Sequence, residues 1–548
     1  MDVRVIQRKG CAVRYADYQQ FELDIPISEP LAEAISLRRR KTAPPFSGNS
    51  FLVEAGTGTG KTRAILETVI PFSVNHGLSV CFVSSRAAIN TQFKRSLAHT
   101  LGRSDILSDY TPQGLQHLSE IGPVHILTYH ALWQAMCREE PWIKAIDVLV
   151  FDEIHALTLD ALFVPFTGRL LKRIPSAFRR AARIYLTATS APIRDELLRV
   201  EGDYQLTFFR WPINYGAYQL HFFSSIKNII WKLNSLPDDQ HALVFVNSIS
   251  EGERIAGQLK RSHRLISSQT KEQEPEVWSR LLEAGTLDSQ VLLATTTLDA
   301  GVSLTDPALQ HIFCTGINSA AVIQQAGRKR LKRGEKLNLY LWSPGRQKLG
   351  HLLAKNREMR ETLTMSTESP YQFLDEFILG DRLPQVRKMF LPNWDRTISV
   401  NPLALEYFCQ ERDLLQELLH TDDPWPMDAY WAKVFGQDLP TDPQRWLDDR
   451  YDSTAEEELR QWLEDQVGRD LTTKEAKDNF SQEFKSKYHR AFGRRTNDRS
   501  DRQWGKNILQ KILSELDMGI QIISIGGGWR IERSSRESFD AQADNISM

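Results

Sequence analysis

The first two thirds of the chain alternate between short apolar runs and longer amphipathic stretches. From Ser50 to about Arg210, polar residues or glycine bound each apolar run, which is the pattern of buried parallel strands joined by helical crossovers. The predicted strands of this block are FLVEA (51–55), VCFVSS (80–85), HILT (125–128), DVLVFD (147–152) and IYLTAT (184–189). A second block, from about Ala217 to Ser343, predicts the strands YQLHFF (218–223), ALVFV (242–246), VLLAT (291–295), HIFCT (311–315) and LNLYLW (337–342). We therefore expect an α/β fold with two tandem parallel-sheet domains and a cleft between them.

The pattern changes after about Pro344, where strand-like runs give way to helical periodicity. Near the end, NILQKILSEL (507–516) predicts a helix, and residues 520–532 predict a hairpin turned at Gly526–Gly528. A helix followed by a hairpin is compatible with a winged helix. The predicted division is an N-terminal extension (1–48), two α/β domains (49–213 and 214–345), a helical accessory region (346–480), a basic segment with a candidate winged helix (481–535) and a disordered tail (536–548).

Composition and charge exclude several classes of protein. Hydrophobic residues make up 41% of the chain and charged residues 25%, which is typical of a globular protein. Lys and Arg number 68 against 69 Asp and Glu, so any binding of nucleic acid requires a local basic groove. The five cysteines form no CxxC pair, which argues against a disulfide scaffold and against zinc. No run reaches the ~18 apolar residues of a membrane helix, and we expect a cytoplasmic protein without a membrane partner.

A phosphate-binding loop follows the first predicted strand. The sequence AGTGTGKT lies between the strand FLVE and a helical stretch. Glycines let backbone N–H groups converge on a phosphate, and the helix that follows directs its positive end at the anion. Lys61 would contact the β and γ phosphates, and the Thr62 hydroxyl would bind Mg²⁺. The predicted ATP-binding residues are Ala55, Gly56, Thr57, Gly58, Thr59, Gly60, Lys61 and Thr62.

An acidic motif ends the apolar strand DVLVFD. The residues DEIH place Asp152, Glu153 and His155 at the carboxyl edge of the predicted sheet, where ligands bind in this fold class. We expect Asp152 to hold Mg²⁺ through water and Glu153 to orient and deprotonate the attacking water.

These and other segments together resemble a known family. AGTGTGKT and DEIH resemble motifs I and II of superfamily 2 helicases of the DExH (DEAD/DEAH-box-like) type. The remaining motifs follow in the same order: SSRAAINTQF (84–93) as Ia, TYHAL (128–132) as Ib, TAT (187–189) as III, VFVNSI (244–249) as IV, ATTTLDAGVSL (294–304) as V and QQAGRKR (324–330) as VI. The resemblance covers roughly residues 50–345 and implies two RecA-like P-loop lobes that close on ATP.

The resemblance also implies roles for individual residues. His155, Thr187, Thr189 and Gly301 would couple the ATP site to movement of a strand. Arg86, Thr128 and Thr295 would contact the backbone of a single strand of DNA or RNA. Gln324, Arg328 and Arg330 would join Lys61, Asp152 and Glu153 in catalysis.

Motif VI departs from the usual QRxGRxGR pattern. Leu331 occupies the position of the second arginine, and Arg330 lies one residue earlier. An arginine finger can raise the rate of phosphoryl transfer by roughly 10³–10⁵. Either Arg328 serves alone or Arg330 reaches the γ-phosphate from a shifted register.

The phosphate loop also resembles that of the iron–sulfur helicases. Those proteins carry four cysteine ligands between motifs I and II, whereas this chain has only Cys81 and Cys137 there. We therefore expect ATP and Mg²⁺ as the cofactors, without an iron–sulfur cluster.

A basic stretch lies near the C-terminus. Residues 484–506, which include Arg494 and Arg495, carry eight Lys and Arg against two Asp, with aromatic residues between them. The pattern suits a nucleic-acid surface and equally suits a solvated basic linker. The tryptophans between 394 and 462 favour core packing over stacking on bases.

The sequence supports three functions. The first is an ATP-dependent helicase or translocase on DNA or RNA, moving 3′ to 5′ by resemblance. The second is a nucleotide-switched binding or scaffold protein with weak ATPase activity, for which Leu331 is the main support. The third is a replication or defence component that uses the helicase core.

Overall fold

The chain divides into two compact units, Met1–Leu439 and Pro440–Met548. This computed structural model describes residues 19–22, 26–29, 31, 50–109, 112–202, 206–267, 281, 284–295, 298, 302–332, 334–373, 375–376, 386–393, 398–421, 423–442, 445–447, 453–492, 504–516 and 519–533. Within those ranges, no helix is both long and apolar enough to cross a membrane.

The first unit begins with a sheet that we call, with its helices, the first lobe. Its strands are β1 (Gln19–Glu22), β2 (Ser50–Glu54), β3 (Val80–Ser84), β4 (Glu120–Ile121), β5 (Val124–Thr128), β6 (Val148–Phe151), β7 (Ala182–Thr187) and β8 (Leu206–Arg210). They lie in the order β1-β8-β2-β7-β6-β3-β5-β4, parallel throughout except for β4. The central strands β2, β3, β6 and β7 are buried on both faces, which explains why they appear as continuous apolar runs.

Helices cover both faces of this sheet. They are α1 (Lys61–Ala64), which continues through a π-helical turn (Ile65–Val69) into α2 (Ile70–Asn75), then α3 (Ala87–Thr100), α4 (Ser104–Asp109), α5 (Pro112–His117), α6 (Tyr129–Cys137), α7 (Ala156–Leu159), α8 (Thr167–Ala177) and α9 (Arg194–Glu201). Two separate apolar clusters, one on each face, form the core of the lobe.

One ion pair of this lobe, Arg183 with Glu201, is almost completely buried. Arg183 of β7 donates two hydrogen bonds to the Glu201 carboxylate, at 2.8 and 2.6 Å, and the Tyr185 hydroxyl donates a third at 2.5 Å. The Arg183 and Glu201 side chains are 1% and 0% exposed. We call these three residues the Glu201 triad.

The second lobe contains a fully parallel sheet. Its strands are β9 (Tyr218–Phe223), β10 (His241–Phe245), β11 (His263–Ile266), β12 (Val291–Ala294), β13 (Leu309–Cys314) and β14 (Leu337–Trp342), in the order β11-β12-β10-β13-β14-β9. Helices α10 (Ile226–Asn234), α11 (Ile249–Ala256) and α12 (Ser319–Ala326) accompany it. The two sheets, parallel except for β4, confirm the predicted tandem α/β architecture, with the strands that the apolar runs predicted and β1, β4, β8 and β11 in addition.

The remainder of the first unit packs on both lobes. It comprises α13 (Arg346–Glu368), α14 (Pro370–Phe373), the antiparallel pair β15 (Phe390–Pro392) and β16 (Ile398–Val400), α15 (Pro402–His420) and α16 (Pro426–Val434). Asn401, 1% exposed, fixes α15 to the first lobe: its amide nitrogen donates to Ala161, Val164 and Thr167 oxygens, and its amide oxygen accepts from the Gly168 N–H. Trp431 of α16 donates to the Trp342 carbonyl at the end of the second sheet, at 2.9 Å.

The second unit has the element order of a winged helix. Helix α17 (Ser453–Gln466), strand β17 (Asp470–Leu471), helices α18 (Lys474–Phe492) and α19 (Lys506–Glu515), and strands β18 (Ile520–Ile525) and β19 (Gly528–Arg533) follow one another. The sheet order is β17-β19-β18, antiparallel, and the hairpin turns at Gly526 and Gly527, both with positive φ. The predicted helix and hairpin are confirmed. Trp504 of the basic stretch, 4% exposed, packs in the core of this unit rather than on its surface. Trp431 and Trp446, 0% and 9% exposed, are buried as the packing interpretation of the tryptophans predicted.

Candidate active site

The phosphate loop connects the end of β2 to the start of α1. Gly58 and Gly60 adopt left-handed backbone conformations, with φ of 80° and 91°, which residues with a Cβ rarely adopt. The Thr59 hydroxyl donates to the Gly56 carbonyl at 2.7 Å and closes the turn. The sequence folds locally in this way because glycine alternates with short polar residues, so the backbone can curl tightly ahead of the helix.

Lys61 is the buried cation at the base of this loop, with 6% exposure. Its ammonium donates to the Ala55 carbonyl at 2.8 Å and to the Gly56 carbonyl at 3.2 Å. It also lies 3.7 Å from the Glu153 carboxylate. Lys61 therefore lies between the loop and the acidic motif, and its binding of phosphate stays a prediction.

Two oxygen groups suited to a metal lie beside Lys61. The Thr62 hydroxyl is 3.5 Å from the Asp152 carboxylate. A hydroxyl and a carboxylate fit Mg²⁺, which binds few protein oxygens and retains several waters. Thr62 and Asp152 would hold the ion, which when bound would neutralise phosphate charge.

The acidic motif ends β6 in a strained backbone conformation. Glu153 has φ of +52°, which is uncommon for a residue other than glycine and is often found at functional sites. Its carboxylate accepts the Ala188 N–H at 3.3 Å and the Gln324 side-chain amide at 3.2 Å, and it lies 3.3 Å from the His155 Nδ1. One carboxylate thus contacts motifs I, II, III and VI.

Burial and neighbouring charges shift the pKa values of Asp152, Glu153 and His155 in different directions. Burial, reinforced by the charge of Glu153, raises the pKa of the Asp152 carboxyl to about 7. Burial alone would raise the pKa of the Glu153 carboxyl. Nearby Lys61 and His155 lower that pKa by more than burial raises it, so the net pKa lies below its usual value. Burial lowers the pKa of the His155 imidazole. Glu153 is therefore ionised at neutral pH and able to accept a proton from water.

Motifs II and III are joined by hydrogen bonds. The His155 Nδ1 lies 2.9 Å from the Thr187 hydroxyl. That hydroxyl donates to the Thr189 carbonyl at 2.7 Å and accepts from the Thr189 N–H at 3.1 Å. Three of the predicted coupling residues thus form one connected chain. The fourth, Gly301, lies outside the described residues.

The two motif VI arginines have different surroundings. Arg328 is 7% exposed and its guanidinium donates to the Gln324 carbonyl, the Gln324 side chain and the Val302 carbonyl. Arg330 is exposed, donates to the Ser303 hydroxyl at 3.1 Å, and has its Nη1 3.0 Å from where a Gly58 Cβ would lie. Arg330 therefore lies over the phosphate loop, while Arg328 is buried, donates to groups of its own lobe and also lines the cavity between the lobes.

The two lobes are in direct contact at this point. A Cβ built on Gly327 would overlap the Thr57 side chain, so glycine is required for motif VI to approach the phosphate loop this closely. The cavity between them has a volume of about 590 Å³. Its lining includes Lys61, Glu153, Gln324 and Arg330, and it extends to Arg86 and Phe163.

The residues predicted to contact a nucleic-acid strand lie on several elements. The Thr128 hydroxyl caps α6 by accepting the Ala131 N–H at 3.3 Å. Thr295 follows β12, and its N–H donates to the Ile266 carbonyl. Arg86 precedes α3 and is paired with Asp160. Arg494 and Arg495, like the tail after 534, lie outside the described residues.

Sequence reasoning missed two polar residues next to this site. Asp160 and Tyr129 are bonded to each other, and Asp160 also binds Arg86. The signal was present, since Asp160 is an isolated acidic residue in the apolar stretch IHALTLDALF, and a buried carboxylate requires partners.

Comparison with known proteins gives matches for part of the chain. Residues 26–191 match the family model described as type III restriction enzyme, res subunit. No curated protein matches the chain.

Several solved structures are similar at low identity. The Mycobacterium smegmatis helicase Lhr bound to ssDNA and AMP-PNP is 17% identical over 69% of this chain, at a TM-score of 0.42, and this chain spans 58% of that one. The S. cerevisiae protein Dbp5 bound to RNA and ADP BeF3 is 15% identical over 59% of this chain and 85% of its own, at a TM-score of 0.42. The DUF1998 helicase MrfA bound to DNA is 17% identical over 58% of this chain and 48% of its own, also at 0.42.

The match to the family model falls on the first lobe and includes motifs I, Ia, Ib, II and III. The family match is confined to residues 26–191 of 548 and agrees with the predicted resemblance over that part of the chain.

Proposed function

We propose that this chain is an ATP-dependent nucleic-acid helicase or translocase, in which hydrolysis between the two lobes drives movement along one strand, 3′ to 5′. The observation that carries the proposal is the meeting of both lobes at one carboxylate. Glu153 of the first lobe contacts Lys61 of the phosphate loop and Gln324 of the second lobe. A site divided in this way links bond cleavage to the separation of its halves.

The proposed roles follow from these contacts. Gly56 to Thr62 bind the phosphates of ATP, with Lys61 released from its carbonyl partners to the β and γ oxygens. Glu153 orients and deprotonates the attacking water. Arg330 stabilises the charge that develops in the transition state, which accounts for Leu331 at the usual arginine position.

The predicted domain limits belong to this proposal. Residues 49–213 and 214–345 would be the two motor lobes, and residues 346–480 an accessory region. The segment 481–535 would contribute the basic surface, with Arg494 and Arg495 on the strand.

Steady-state ATP turnover tests the proposal. Single-stranded DNA, duplex DNA and RNA would be compared side by side, and we expect at least one to raise turnover. Lys61→Ala should lower turnover by about 10²–10³, because it removes one charge-stabilising group. Lys144→Ala, on the exposed turn Pro141–Ala145, is the matched control and should leave turnover unchanged. Turnover that ignores every added nucleic acid would contradict the proposal.

A second function, a nucleotide-switched clamp with weak ATPase activity, has one specific observation in its favour. The Arg328 guanidinium donates hydrogen bonds to Gln324 and to the Val302 carbonyl, both of which lie in its own lobe. Arg330→Ala separates the two functions. A large drop in turnover supports the motor, whereas a wild type as slow as Lys61→Ala supports the clamp.

A further inference from the structure

A single carboxylate next to the active site joins three motif segments. Asp160 begins a short 3₁₀ turn (Asp160–Leu162) directly after α7 and is 8% exposed. It accepts hydrogen bonds from Arg86 Nη1 at 2.5 Å, Arg86 Nη2 at 2.8 Å and the Tyr129 hydroxyl at 2.6 Å. We call Arg86, Asp160 and Tyr129 the Asp160 triad.

The two donors come from the segments predicted to hold a nucleic-acid strand. Arg86 stands at the start of α3, in motif Ia, 74 residues from Asp160 in the chain. Tyr129 is the first residue of α6, directly after Thr128 in motif Ib, and lies 31 residues from Asp160. Both segments are therefore held in register by the same acceptor.

The acceptor itself is rigidly connected to the water-activating group. Helical turns run without interruption from Glu153 to Asp160: the Ala156 N–H donates to the Glu153 carbonyl, and the Thr158 and Leu159 N–H groups donate to the His155 carbonyl. Glu153, Arg86 and Asp160 also line one continuous cavity. Asp160 and Glu153 are thus connected by one short helix.

The Asp160 triad is accessible to a nucleic-acid strand through Arg86. The Arg86 side chain is 32% exposed, and its guanidinium is the member nearest solvent. A phosphate oxygen arriving at Arg86 would compete with the Asp160 carboxylate for the same donors, since both are anionic acceptors.

We propose that Asp160 is a positioning residue through which a nucleic-acid strand bound at motifs Ia and Ib acts on Glu153. The inference rests on the proposed function, because it requires that nucleic acid stimulate ATP hydrolysis. Asp160 does not touch the reacting atoms. Its role is to hold Arg86 and Tyr129 in place relative to the acidic motif.

The test is the ratio of ATP turnover with single-stranded nucleic acid to turnover without it. Asp160→Asn removes the negative charge at nearly constant shape and should lower this ratio at least about tenfold, since hydrogen bonds to a charged acceptor are lost. ATP turnover without nucleic acid should stay within about twofold of the wild type, because Asp160 does not touch the reacting atoms and its substitution changes the transition-state free energy little. The concentration of strand giving half-maximal stimulation should rise as well.

The chain offers a matched control. Glu201→Gln makes the same chemical change in the Glu201 triad, which also contains an arginine and a tyrosine bonded to one carboxylate. It should lower thermal stability and leave the stimulation ratio as in the wild type. A merely structural role for Asp160 would instead make the two variants behave alike.

The outcomes are distinguishable. If the wild type is stimulated and Asp160→Asn is stimulated equally, the inference is overturned and the proposed function stands. If no nucleic acid stimulates the wild type, both are overturned. If Asp160→Asn does not fold, Tyr129→Phe, which removes one hydrogen bond, should still lower the ratio severalfold, and a ratio equal to that of Tyr185→Phe would overturn the inference.

Discussion

The Glu201 triad and the Asp160 triad use the same chemistry in different surroundings. Each joins one arginine, one carboxylate and one tyrosine by three hydrogen bonds between 2.5 and 2.8 Å. Glu201 lies 18 and 16 residues from its partners, whereas Asp160 lies 74 and 31 residues from its own. The Arg183 side chain is 1% exposed and the Arg86 side chain 32%.

The differences in exposure and in separation along the chain distinguish a structural role of the Glu201 triad from the functional role that we propose for the Asp160 triad. Sealed from water and made by neighbouring segments, the Glu201 triad can only stabilise the packing of α9 against β7. The Asp160 triad joins three distant segments at the edge of a cavity, where a ligand can compete for its donors. The same three side-chain types therefore stabilise the fold in the Glu201 triad, whereas in the Asp160 triad we propose that they connect strand binding to Glu153. The position of each triad in the lobe accounts for the difference.

The largest expected effect concerns the buried arginine. Arg183→Met leaves the Glu201 carboxylate buried without its cation, and the free energy of unfolding should fall by about 3–5 kcal/mol. Arg86→Met should cost clearly less, because water reaches that site and screens the charge. Chemical denaturation of both variants measures the difference, and equal losses would break the comparison.

The tyrosines give a smaller effect. Tyr185→Phe removes one hydrogen bond to a buried charged acceptor and should lower the free energy of unfolding by about 1.5–3 kcal/mol. Tyr129→Phe should cost no more than that, and it alone should change the stimulation of ATP turnover. Measuring both variants in both assays would show whether stability and stimulation are separable, and a parallel loss in each assay would argue against separate roles.

The smallest effect is a dependence on alkaline pH. Burial, together with the charge of the carboxylate partner, raises the pKa of Tyr185 and of Tyr129. A raised folded-state pKa means that stability is complete below the unfolded value of about 10 and is lost as the pH rises above it. The loss is at most about 1.4 kcal/mol per pH unit for each tyrosine.

Denaturant midpoints between pH 9 and 11 would measure this slope. Tyr185→Phe and Tyr129→Phe should each flatten it relative to the wild type, whereas Tyr371→Phe, at an exposed position, should not. Slopes that are the same in all four proteins would show that neither triad resists ionisation of its tyrosine.

The sequence predicted what depends on local pattern. Strands β3 and β6 were located to within one residue at each end, because a strand buried on both faces has a continuous apolar run. Strand β8 was missed because its residues alternate between buried and partly exposed, and β1 because it is a short edge strand. The hairpin of the second unit was found from its glycines.

At the site, motifs I and II are local and were located from sequence. Whether Arg328 or Arg330 approaches the phosphate loop depends on how the second lobe meets the first, which no local pattern contains. The Asp160 triad was missed for the same reason, since its members are brought together only by the order of β3, β5 and β6 in the sheet. The predicted roles of these residues remain predictions until the variants above are measured.

The absence of a side chain at Gly327 allows the contact between the two lobes to be altered by a single substitution. Because motif VI rests against Thr57 with no space between them, a single added methyl group would act as a spacer between the lobes. Such a spacer alters no charge and removes no hydrogen-bonding group. An alanine at position 327 would hold the two lobes slightly apart while leaving every residue of the phosphate loop and of the acidic motif unchanged, so that nucleotide binding by the first lobe could be measured separately from closure of the two lobes.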